Sequence, residues 1–459
     1  MDQTVRHIER HMRMPGEVGQ ESPATAQGAD IHQIREFNRL LVLNYVRVYG
    51  PVSRVMLAQR LGLSRTTVSS IIDTLLQEGF VREGHFLDAA PRGGRRAILV
   101  HFNADAGRIL GIDVGRTHLT MLLTDLTPSI VARRSVSFDT NRGPDVCLPI
   151  LISEIRTFVE ASATSWEAIA GIGLGIPGPL SGDLHRLSSP PHMPGWDDVD
   201  IWALLHAAFR KPLYIDNDAN MGALGESRCG AGRGDANMAY VKIGTGIGGG
   251  LILNGRIYRG HRGSAGELGH LTIDENGPHC VCGGRGCLET LAGARAIVAD
   301  AEQGLSLACK RAALPGDEST LRQGAQRVFA DITDVTAAAQ KGDAACIAAL
   351  ERAGERIALA LAGLVNLVNP ASIILDGGVA HAGEILLNSI RRVVSSSSLP
   401  AAWKGTRLLL GELGSTAIAL GAALTVLDAA FDPHTHALAT SSPGVDAGVV
   451  GIAFSHNLT

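Results

Sequence analysis

Three cysteines lie close together in the sequence and could bind a metal ion. Cys280, Cys282 and Cys287 form a C-x-C-x4-C pattern, and the glycines between them let the chain wrap around an ion. His270 lies ten residues upstream of Cys280, and three thiolates with one imidazole form the tetrahedral ligand set of a structural zinc site. His279 is a competing fourth ligand with an awkward position next to Cys280, and free thiols are the alternative to a metal.

A cluster of polar residues follows an apolar run and could bind a ligand. Residues 216–220 read Asp-Asn-Asp-Ala-Asn, follow the strand-like residues 212–215 and open a helix. Because α/β folds bind ligands beyond the carboxyl ends of their strands, this cluster predicts a binding site. Asp218 is placed to accept a proton from a hydroxyl group, and helix capping is the alternative role for these residues. Gly178, in the run Gly173–Pro179, also follows a strand and offers its backbone to a ligand.

Two glycine-rich turns could approach an anion. The run Gly244–Gly250 lies between two predicted strands, and its glycines let backbone N–H groups come close to a phosphate. A flexible turn is the alternative. Asp113 and Gly115 also follow a predicted strand, but an Asp-x-Gly turn alone is more typical of an ordinary β-hairpin.

The N-terminal part has the pattern of a helix-turn-helix. Ala58 is small where two helices would cross, Gly62 supplies the turn, and Ser64 caps a third helix over residues 65–78. An apolar stripe on that helix leaves short polar groups and one arginine facing outward, which suits a major groove. A predicted β-hairpin over residues 85–103 adds a basic wing. The candidate DNA contacts are Arg65, Thr66, Thr67, Ser69 and Ser70 on the helix and Arg92, Arg95 and Arg96 in the wing.

The distribution of charge supports a separate nucleic-acid-binding module. The chain of 459 residues has a net charge of −4, so no global basic field attracts DNA. Residues 32–100, however, contain ten arginines and no lysine against five acidic residues. A basic segment on an acidic body is typical of a dedicated DNA-binding domain.

Four regions are expected along the chain. Residues 1–29 predict a flexible arm, residues 30–103 the winged helix-turn-helix, residues 106–430 an α/β body, and residues 431–459 a disordered tail. Apolar residues make up 45% of the chain, which excludes a wholly disordered protein. The N-terminus has no signal-peptide core and no window is as apolar as a membrane span, so we expect a cytoplasmic location and no membrane contact.

In these motifs the sequence resembles the ROK family, which joins sugar-responsive repressors and sugar kinases. The resemblance covers about residues 31–428 and is most specific in the run Gly266–His270 with the three cysteines, the Asn217–Asn220 turn and the Gly244–Gly250 loop. It implies an α/β fold with an N-terminal winged helix-turn-helix and a two-lobed, actin-like ATPase body that binds sugar in its cleft. The winged helix in front resembles the repressor branch, of the xylose-repressor type.

The resemblance also implies roles for particular residues. Asp218 matches the catalytic base of the kinases, and His270 matches a residue that binds zinc and touches sugar. The implied sugar-binding residues are Gly178, Asn217, Asp218, Glu267, His270 and Glu289. The implied nucleotide-binding residues are Asp113, Gly115, Gly244, Thr245 and Gly246.

Two departures from the kinase pattern argue against binding of ATP and Mg²⁺. Arg116 stands where the first phosphate loop of the kinases has its second glycine, and a bulky cation there blocks the phosphates or pairs with one of them. Asp376 stands where the family usually has glycine and puts an anion near the expected nucleotide site. Asp113 and Asp218 are kept, so kinase chemistry is not excluded.

These observations predict a zinc-containing, sugar-responsive transcriptional repressor. We expect it to bind operator DNA as a homodimer or homotetramer, because two-fold proteins read two-fold sites. A sugar or sugar phosphate in the cleft would shift the DNA-binding population. The alternatives are an ATP-dependent sugar kinase with an attached DNA-binding domain, and a helical module that binds a protein rather than DNA.

Overall fold

A computed structural model describes residues 31–86, 97–188, 190, 193–312 and 329–431 of the chain. The expected arm at 1–29, the wing arginines Arg92, Arg95 and Arg96, and the expected tail after Phe431 lie outside the described residues. The described chain forms a small N-terminal domain and a body of two lobes, each built around one five-stranded sheet.

The N-terminal domain is a helix-turn-helix followed by a short antiparallel sheet. Gly62 ends the second helix in the left-handed region at a φ of 66°. Ser64 then caps the third helix by accepting the N–H of Thr67 at 3.0 Å, so the turn forms as the sequence predicts. The elements are α1 (Ile31–Tyr49), β1 (Val52–Ser53), α2 (Arg54–Leu61), α3 (Arg65–Gln77), β2 (Val81–Phe86) and β3 (Ile98–Phe102). The strand order is β1-β3-β2.

The first lobe is a mixed sheet with helices packed against it. Its elements are β4 (Arg108–Val114), β5 (His118–Thr124), β6 (Ile130–Ser137), α4 (Pro144–Ala161), β7 (Ile169–Ile176), α5 (Ile201–Phe209) and β8 (Leu213–Asn217). The strand order is β6-β5-β4-β7-β8, in which β4, β7 and β8 run parallel. Every residue of β7 is buried, as expected for a parallel strand that is covered on both faces.

The second lobe repeats this topology after the connecting helix α6 (Asp218–Cys229). Its first elements are β9 (Met238–Ile243), β10 (Ile247–Leu253), β11 (Arg256–Ile257), α7 (Leu288–Ala292), α8 (Ala294–Ala312) and α9 (Ile332–Gln340). The chain continues through α10 (Ala344–Val368), β12 (Ser372–Asp376), α11 (Glu384–Ser397), α12 (Pro400–Trp403), β13 (Arg407–Leu410) and α13 (Ala417–Phe431). The order β11-β10-β9-β12-β13 matches that of the first sheet strand for strand, so both lobes are copies of one plan.

Helix α13 packs on the first sheet at very short range. A Cβ atom at Gly111 or Gly173, in strands β4 and β7, would overlap carbonyl oxygens of this helix. On the other side of the helix, a Cβ at Gly421 would overlap the carbonyl oxygen of Met221 in α6. The sheet, α13 and α6 therefore meet at positions where only glycine fits. These close contacts account for part of the 55 glycines in the chain.

The expectation from the sequence that no segment is as apolar as a membrane span is wrong, because this helix is such a segment. The segment Gly414–Phe431 has a mean hydropathy of 1.5 over 18 residues, which is long and apolar enough to cross a membrane. It is 72% buried inside the protein. The reason for its apolar composition is therefore packing between the first sheet and α6.

The run Gly244–Gly250, predicted as a loop between strands, is only partly a loop. Strand β10 already begins at Ile247, so the turn is confined to residues 244–246. Gly250 lies in the strand, where a Cβ would overlap the carbonyl oxygen of Ala219 in α6. At this position glycine serves close packing between a helix and a sheet rather than the approach of an anion.

The N-terminal domain packs against the end of α13. The ring of Phe431 meets the ring of Phe102 edge-on, with 6.1 Å between the centroids. The guanidinium of Arg47 lies 4.7 Å from the centroid of the Phe431 ring, and Asn44 donates a hydrogen bond to the Phe431 carbonyl oxygen. Buried apolar side chains continue from the helix-turn-helix core into α13 without a break.

Gly173→Ala should destabilise the protein, because the added methyl group has no room beneath α13. We expect the free energy of unfolding to fall by about 1–3 kcal/mol, the usual cost of overpacking a tight core. Gly182→Ala is the matched control, since nothing lies within 4 Å of its Cβ position. Urea denaturation measures both variants, and equal stability of the two would contradict the close crossing.

Candidate functional site

The four predicted metal ligands come together in the structure. The Sγ atoms of Cys282 and Cys287 are 3.7 Å apart, and Nδ1 of His270 lies 3.7 Å from Sγ of Cys280. All four ligand atoms lie within 4.8 Å of one another, and a tetrahedral zinc ion separates its sulfur ligands by about 3.8 Å. The group has the donors and the spacing of a closed zinc site, and it does not include the competing ligand His279.

The electrostatics of this cluster also fit a cation. Burial and the two neighbouring thiols raise the pKa of Cys287 to about 12, and burial raises the pKa of Cys280. Only Cys282 has a lowered pKa, because its sulfur accepts the N–H of Gly284. Zinc binds thiolates, so the positive charge of a bound ion would offset the burial that raises these two pKa values and the repulsion between neighbouring thiolates.

Two glutamates lie next to the segment that carries the four predicted metal ligands, residues 270–287, which we call the metal loop. Helix α7 begins directly after Cys287, and Glu289 is its second residue. A short 3₁₀ turn over Leu268–His270 follows Glu267 directly. Each of these glutamates is two or three residues from a predicted metal ligand, so an ion that fixed Cys287 and His270 would also fix the backbone of both.

A cavity of about 770 Å³ lies between the two lobes. Its wall contains every residue that the family resemblance implies for sugar binding: Gly178, Asn217, Asp218, Glu267, His270 and Glu289. It also contains four of the implied nucleotide-binding residues: Asp113, Gly244, Thr245 and Gly246. The fifth, Gly115, is not in the wall, because the ring of His118 packs where a Cβ of Gly115 would be.

The start of α6 holds the polar cluster in place. The side-chain oxygen of Asn217 accepts the N–H groups of Ala219 and Asn220, so Asn217 is the residue that caps the helix. Its Nδ2 donates a hydrogen bond of 3.0 Å to the carbonyl oxygen of Gly178. Asn217 and Gly178 are therefore oriented relative to each other without a ligand, and Asp218 keeps its second carboxylate oxygen directed away from the cap.

Lys242, near the end of β9, neutralises the candidate catalytic base. Its Nζ lies 2.8 Å from Oδ2 of Asp218. Burial opposes the charge of Lys242, but attraction to Asp218, Asp113 and Asp376 outweighs it and raises the pKa of Lys242. Sequence reasoning missed this residue, although a lysine within the apolar strand Met238–Ile243 was a usable signal.

The other carboxylates at the strand ends also have partners in the protein. Nε2 of His118 lies 3.0 Å from Oδ2 of Asp113, and the hydroxyl of Tyr240 donates a hydrogen bond of 2.9 Å to Asp376. Asp376 lines the cavity together with Asp113, so the anion that the sequence predicts lies in the same cavity as a residue implied for nucleotide binding. Neither His118 nor Tyr240 stood out in the sequence, because only the fold brings them to these carboxylates.

The two glutamates next to the metal loop face the cavity. Burial, followed by the charges of Asp218 and Glu289, raises the pKa of Glu267 to about 7. Oε2 of Glu289 accepts the N–H of Ile247 at 3.1 Å. Nε2 of His270 lies 3.9 Å from Oε2 of Glu267, whereas its Nδ1 faces the cysteines. His270 thus presents one nitrogen to the metal cluster and the other to the cavity.

The third helix of the N-terminal domain has a polar outer face. Arg65, Thr66 and Ser70 are exposed, while Thr67 and Ser69 are half-buried. Arg65, Thr66, Ser69 and Ser70 line one shallow surface depression along α3. The fifth predicted contact, Thr67, instead has its hydroxyl 2.8 Å from the Ser64 hydroxyl at the start of the helix.

Comparison with known proteins decides the family. The sequence profile of the ROK family matches residues 109–429. The chain belongs to the ROK family. The profile of the IclR helix-turn-helix domain matches residues 40–84, ahead of the ROK body.

Relatives of this ROK chain include both regulators and kinases. The xylose repressor of Bacillus spizizenii is 34% identical over 405 residues, which cover 88% of this chain and 98% of the repressor. The glucokinase of Halalkalibacterium halodurans is 33% identical over 313 residues, which cover 68% of this chain and 92% of the kinase. The crystal structure of a ROK family transcriptional regulator, a homolog of the E. coli MLC protein, matches with a TM-score of 0.71 at 26% identity, covering 87% of this chain and 98% of that one.

These matches confirm the predicted family and the predicted fold. The repressor matches the helix-turn-helix and the ROK body together, over nearly its full length. They also confirm the expectation of a ROK transcriptional repressor with a helix-turn-helix DNA-binding domain.

Cys282→Ser should remove the metal from the ROK body. Loss of a thiolate ligand is expected to weaken zinc binding by more than the ~10–100-fold that loss of an outer hydrogen-bond partner costs. We also expect a lower Tm, since metal binding stabilises the folded loop. Cys229→Ser, a cysteine outside the cluster, is the control. Zinc content by mass spectrometry measures both, and an unchanged zinc content in Cys282→Ser would rule out the predicted ligand set.

Proposed function

We propose that this ROK protein is a sugar-responsive repressor whose sugar site and DNA-binding domain are connected through two packed helices. The observation that carries the proposal is the position of α6. Its start, at Asn217 and Asp218, lines the cleft, and its body packs against α13. The last residue of α13, Phe431, contacts the winged helix. A movement of α6 at the cleft therefore reaches the DNA-binding domain through α13.

The chemistry of the cleft supports a sugar as effector. Sugar hydroxyls donate and accept hydrogen bonds, so carboxylates, amides and imidazoles bind them in pairs. Relatives of this chain are named xylose repressors, which makes D-xylose the first candidate, with a sugar phosphate as the alternative form. The groups that we assign to sugar binding are the backbone of Gly178, the amide of Asn217, the carboxylates of Asp218, Glu267 and Glu289, and Nε2 of His270.

Zinc has a structural role in this proposal. The ion would be held by His270 and the three cysteines, and it would supply a fixed positive charge that orders its ligands. His270 then holds its free nitrogen towards the cavity. Cys287 holds the start of α7 and so the position of Glu289.

Operator DNA is the proposed partner of the winged helix. The polar face of α3 would enter a major groove, and the wing arginines would contact phosphates or a minor groove. Because two-fold proteins read two-fold sites, we propose a homodimer or homotetramer on a palindromic operator in the cytoplasm. The residues assigned to DNA are Arg65, Thr66, Thr67, Ser69, Ser70, Arg92, Arg95 and Arg96.

Contacts between α6 and α13 support transmission of the sugar signal. Arg228 at the end of α6 forms a salt bridge of 3.4 Å with Asp428 on α13. Leu224 of α6 and Leu427 of α13 belong to the same apolar core as Val46 of the winged helix. If the sugar binds one arrangement of the lobes more tightly, it increases the fraction of molecules in that arrangement. The difference between its binding free energies for the two arrangements sets the size of the shift, and DNA binding changes with it.

Kinase activity is not expected, although Asp218 is present. Its Oδ2 is held 2.8 Å from the Lys242 ammonium, so this oxygen is occupied by a salt bridge rather than directed at a substrate hydroxyl. Arg116 lies in the cavity wall, where the first phosphate loop of a ROK kinase has glycine. Asp113, Gly244, Thr245 and Gly246 therefore face a cleft that is not arranged for ATP and Mg²⁺.

Two variants with opposite expected defects test the proposal. Glu267→Gln removes a carboxylate that accepts sugar hydroxyls, so D-xylose affinity should fall about 10–100-fold above pH 7, where Glu267 is ionised, while DNA binding is kept. Arg65→Ala removes a phosphate contact, so operator affinity falls and the slope of log affinity against log salt becomes shallower by about 0.9 per chain. Sugar binding is kept in that variant. Calorimetry and fluorescence anisotropy, on DNA from upstream of the coding region, measure the two affinities.

The wild-type protein sets the reference for this experiment. Release from DNA by D-xylose, glucose or N-acetylglucosamine supports the repressor and names the effector. DNA binding that no sugar or sugar phosphate alters would contradict sugar control. Absence of DNA binding at low salt would favour the kinase, which ATP turnover with Asp218→Ala as control would then establish.

A further inference from the structure

The outer face of α3 carries one acidic side chain in its middle. Asp73 is the only acidic residue of the helix Arg65–Gln77, and its side chain is 60% exposed. Ser69 lies one turn before it and Gln77 one turn after it, and all three line the shallow depression along the helix. Asp73 therefore lies in the middle of the surface that we assign to DNA.

A carboxylate at this position is unfavourable for DNA binding unless it has a specific role. The phosphates of a duplex repel any negative charge that comes close to them. The hydroxyls of Ser69 and Ser70, on the same surface, can contact DNA without this repulsion. A favourable contact of Asp73 has to come from a partner inside the protein, from a base, or from both.

Arg54 is the partner inside the protein, and it orients the carboxylate. Nη1 of Arg54 lies 2.7 Å from Oδ1 of Asp73. Nη2 of the same guanidinium donates a hydrogen bond of 2.9 Å to Oε1 of Glu83 in β2. One positive charge thus faces two carboxylates, so negative charge remains at this point of the surface. A carboxylate accepts at about four lone-pair positions, so the contact at Oδ1 leaves capacity for a further donor from outside.

The edges of the bases decide which donor fits this carboxylate. The amino groups N4 of cytosine and N6 of adenine are the hydrogen-bond donors of the major groove. Adenine carries the acceptor N7 beside its amino group, and guanine and thymine present only acceptors and a methyl group, so these three bases repel a carboxylate. Cytosine presents its amino group without an acceptor, and a carboxylate therefore discriminates in its favour.

We propose that Asp73 determines sequence specificity by accepting a hydrogen bond from the N4 amino group of a cytosine in the operator. Arg54 is the positioning residue, because it holds the Asp73 carboxylate between the start of α2 and strand β2. The inference rests on the proposed function, since it requires α3 to lie in a major groove. It adds a side chain that reads a base to a helix whose Arg65 contacts a phosphate.

Selection of binding sites from a pool of random duplex DNA tests this assignment on the full chain. Wild type should select a cytosine at one position of each half-site. Asp73→Asn should select adenine at that position, because an amide pairs with N6 and N7 of adenine. Asp73→Ala should select no particular base there. A purely structural role of Asp73 would not change the preferred base from cytosine to adenine.

Fluorescence anisotropy on the selected duplex measures the size of the effect. Replacing the cytosine by thymine, with adenine opposite, should weaken wild-type binding about tenfold, and binding of Asp73→Ala by no more than about twofold. Asp105→Ala is the matched control. The side chain of Asp105 is 63% exposed and pairs with Arg108 at 3.0 Å, but it lies outside α3. This variant should keep the wild-type base preference and affinity.

The outcomes separate this inference from the proposed function. Wild type that binds DNA, with the same preferred bases in Asp73→Asn and Asp73→Ala, would overturn the assignment and leave the repressor in place. Equal weakening of both variants on every duplex would make Asp73 a structural partner of Arg54 and would also overturn it. If wild type binds no duplex of the pool at low salt, the proposed function fails together with the inference.

Discussion

The crossing of α13 over the first sheet is the contact on which the rest of the structure depends. Gly111 and Gly173 leave no room for a side chain beneath the helix, and Gly421 lets α6 approach from the other side. One helix thereby holds the first sheet, the connection between the lobes and, through Phe431, the winged helix. Interiors packed this closely do not deform continuously, so a change at the cleft is expected to move these elements together.

Two features determine the side chains of the cleft: the segment that carries the predicted metal ligands, and the pairing of buried charges. On one side Glu267 and Glu289 lie two or three residues from His270 and Cys287, which we propose to be fixed by zinc. On the other side Lys242 pairs with Asp218, so the residue that would remove a proton in a kinase is instead part of a salt bridge. In our proposal the same fold binds a sugar without phosphorylating it, because activity depends on a few charged groups at the strand ends.

Features with strong local constraints could be predicted from the sequence. A metal site restricts both residue type and spacing, so His270 and the three cysteines were found without a structure. The Ser64 cap and the apolar stripe predicted a helix over residues 65–78, and α3 spans Arg65–Gln77.

The charges in the cleft could not be predicted in the same way. Which face a lysine in β9 presents, and which residues α8 brings to the cavity, depend on contacts between parts of the chain that are far apart in sequence. Lys242 and the glycines of β10 acquire their roles only when the two lobes and α6 are assembled.

The central claim is that sugar binding and DNA binding share one conformational equilibrium. Titrating each ligand with and without the other tests this claim most directly. Operator affinity is measured with and without saturating sugar, and sugar affinity with and without saturating operator. Our account predicts the same factor in both titrations, in the range of about 5–150-fold that coupled sites usually show. If both ligands bind but neither changes the affinity of the other, the cleft and the winged helix are independent and the account is wrong.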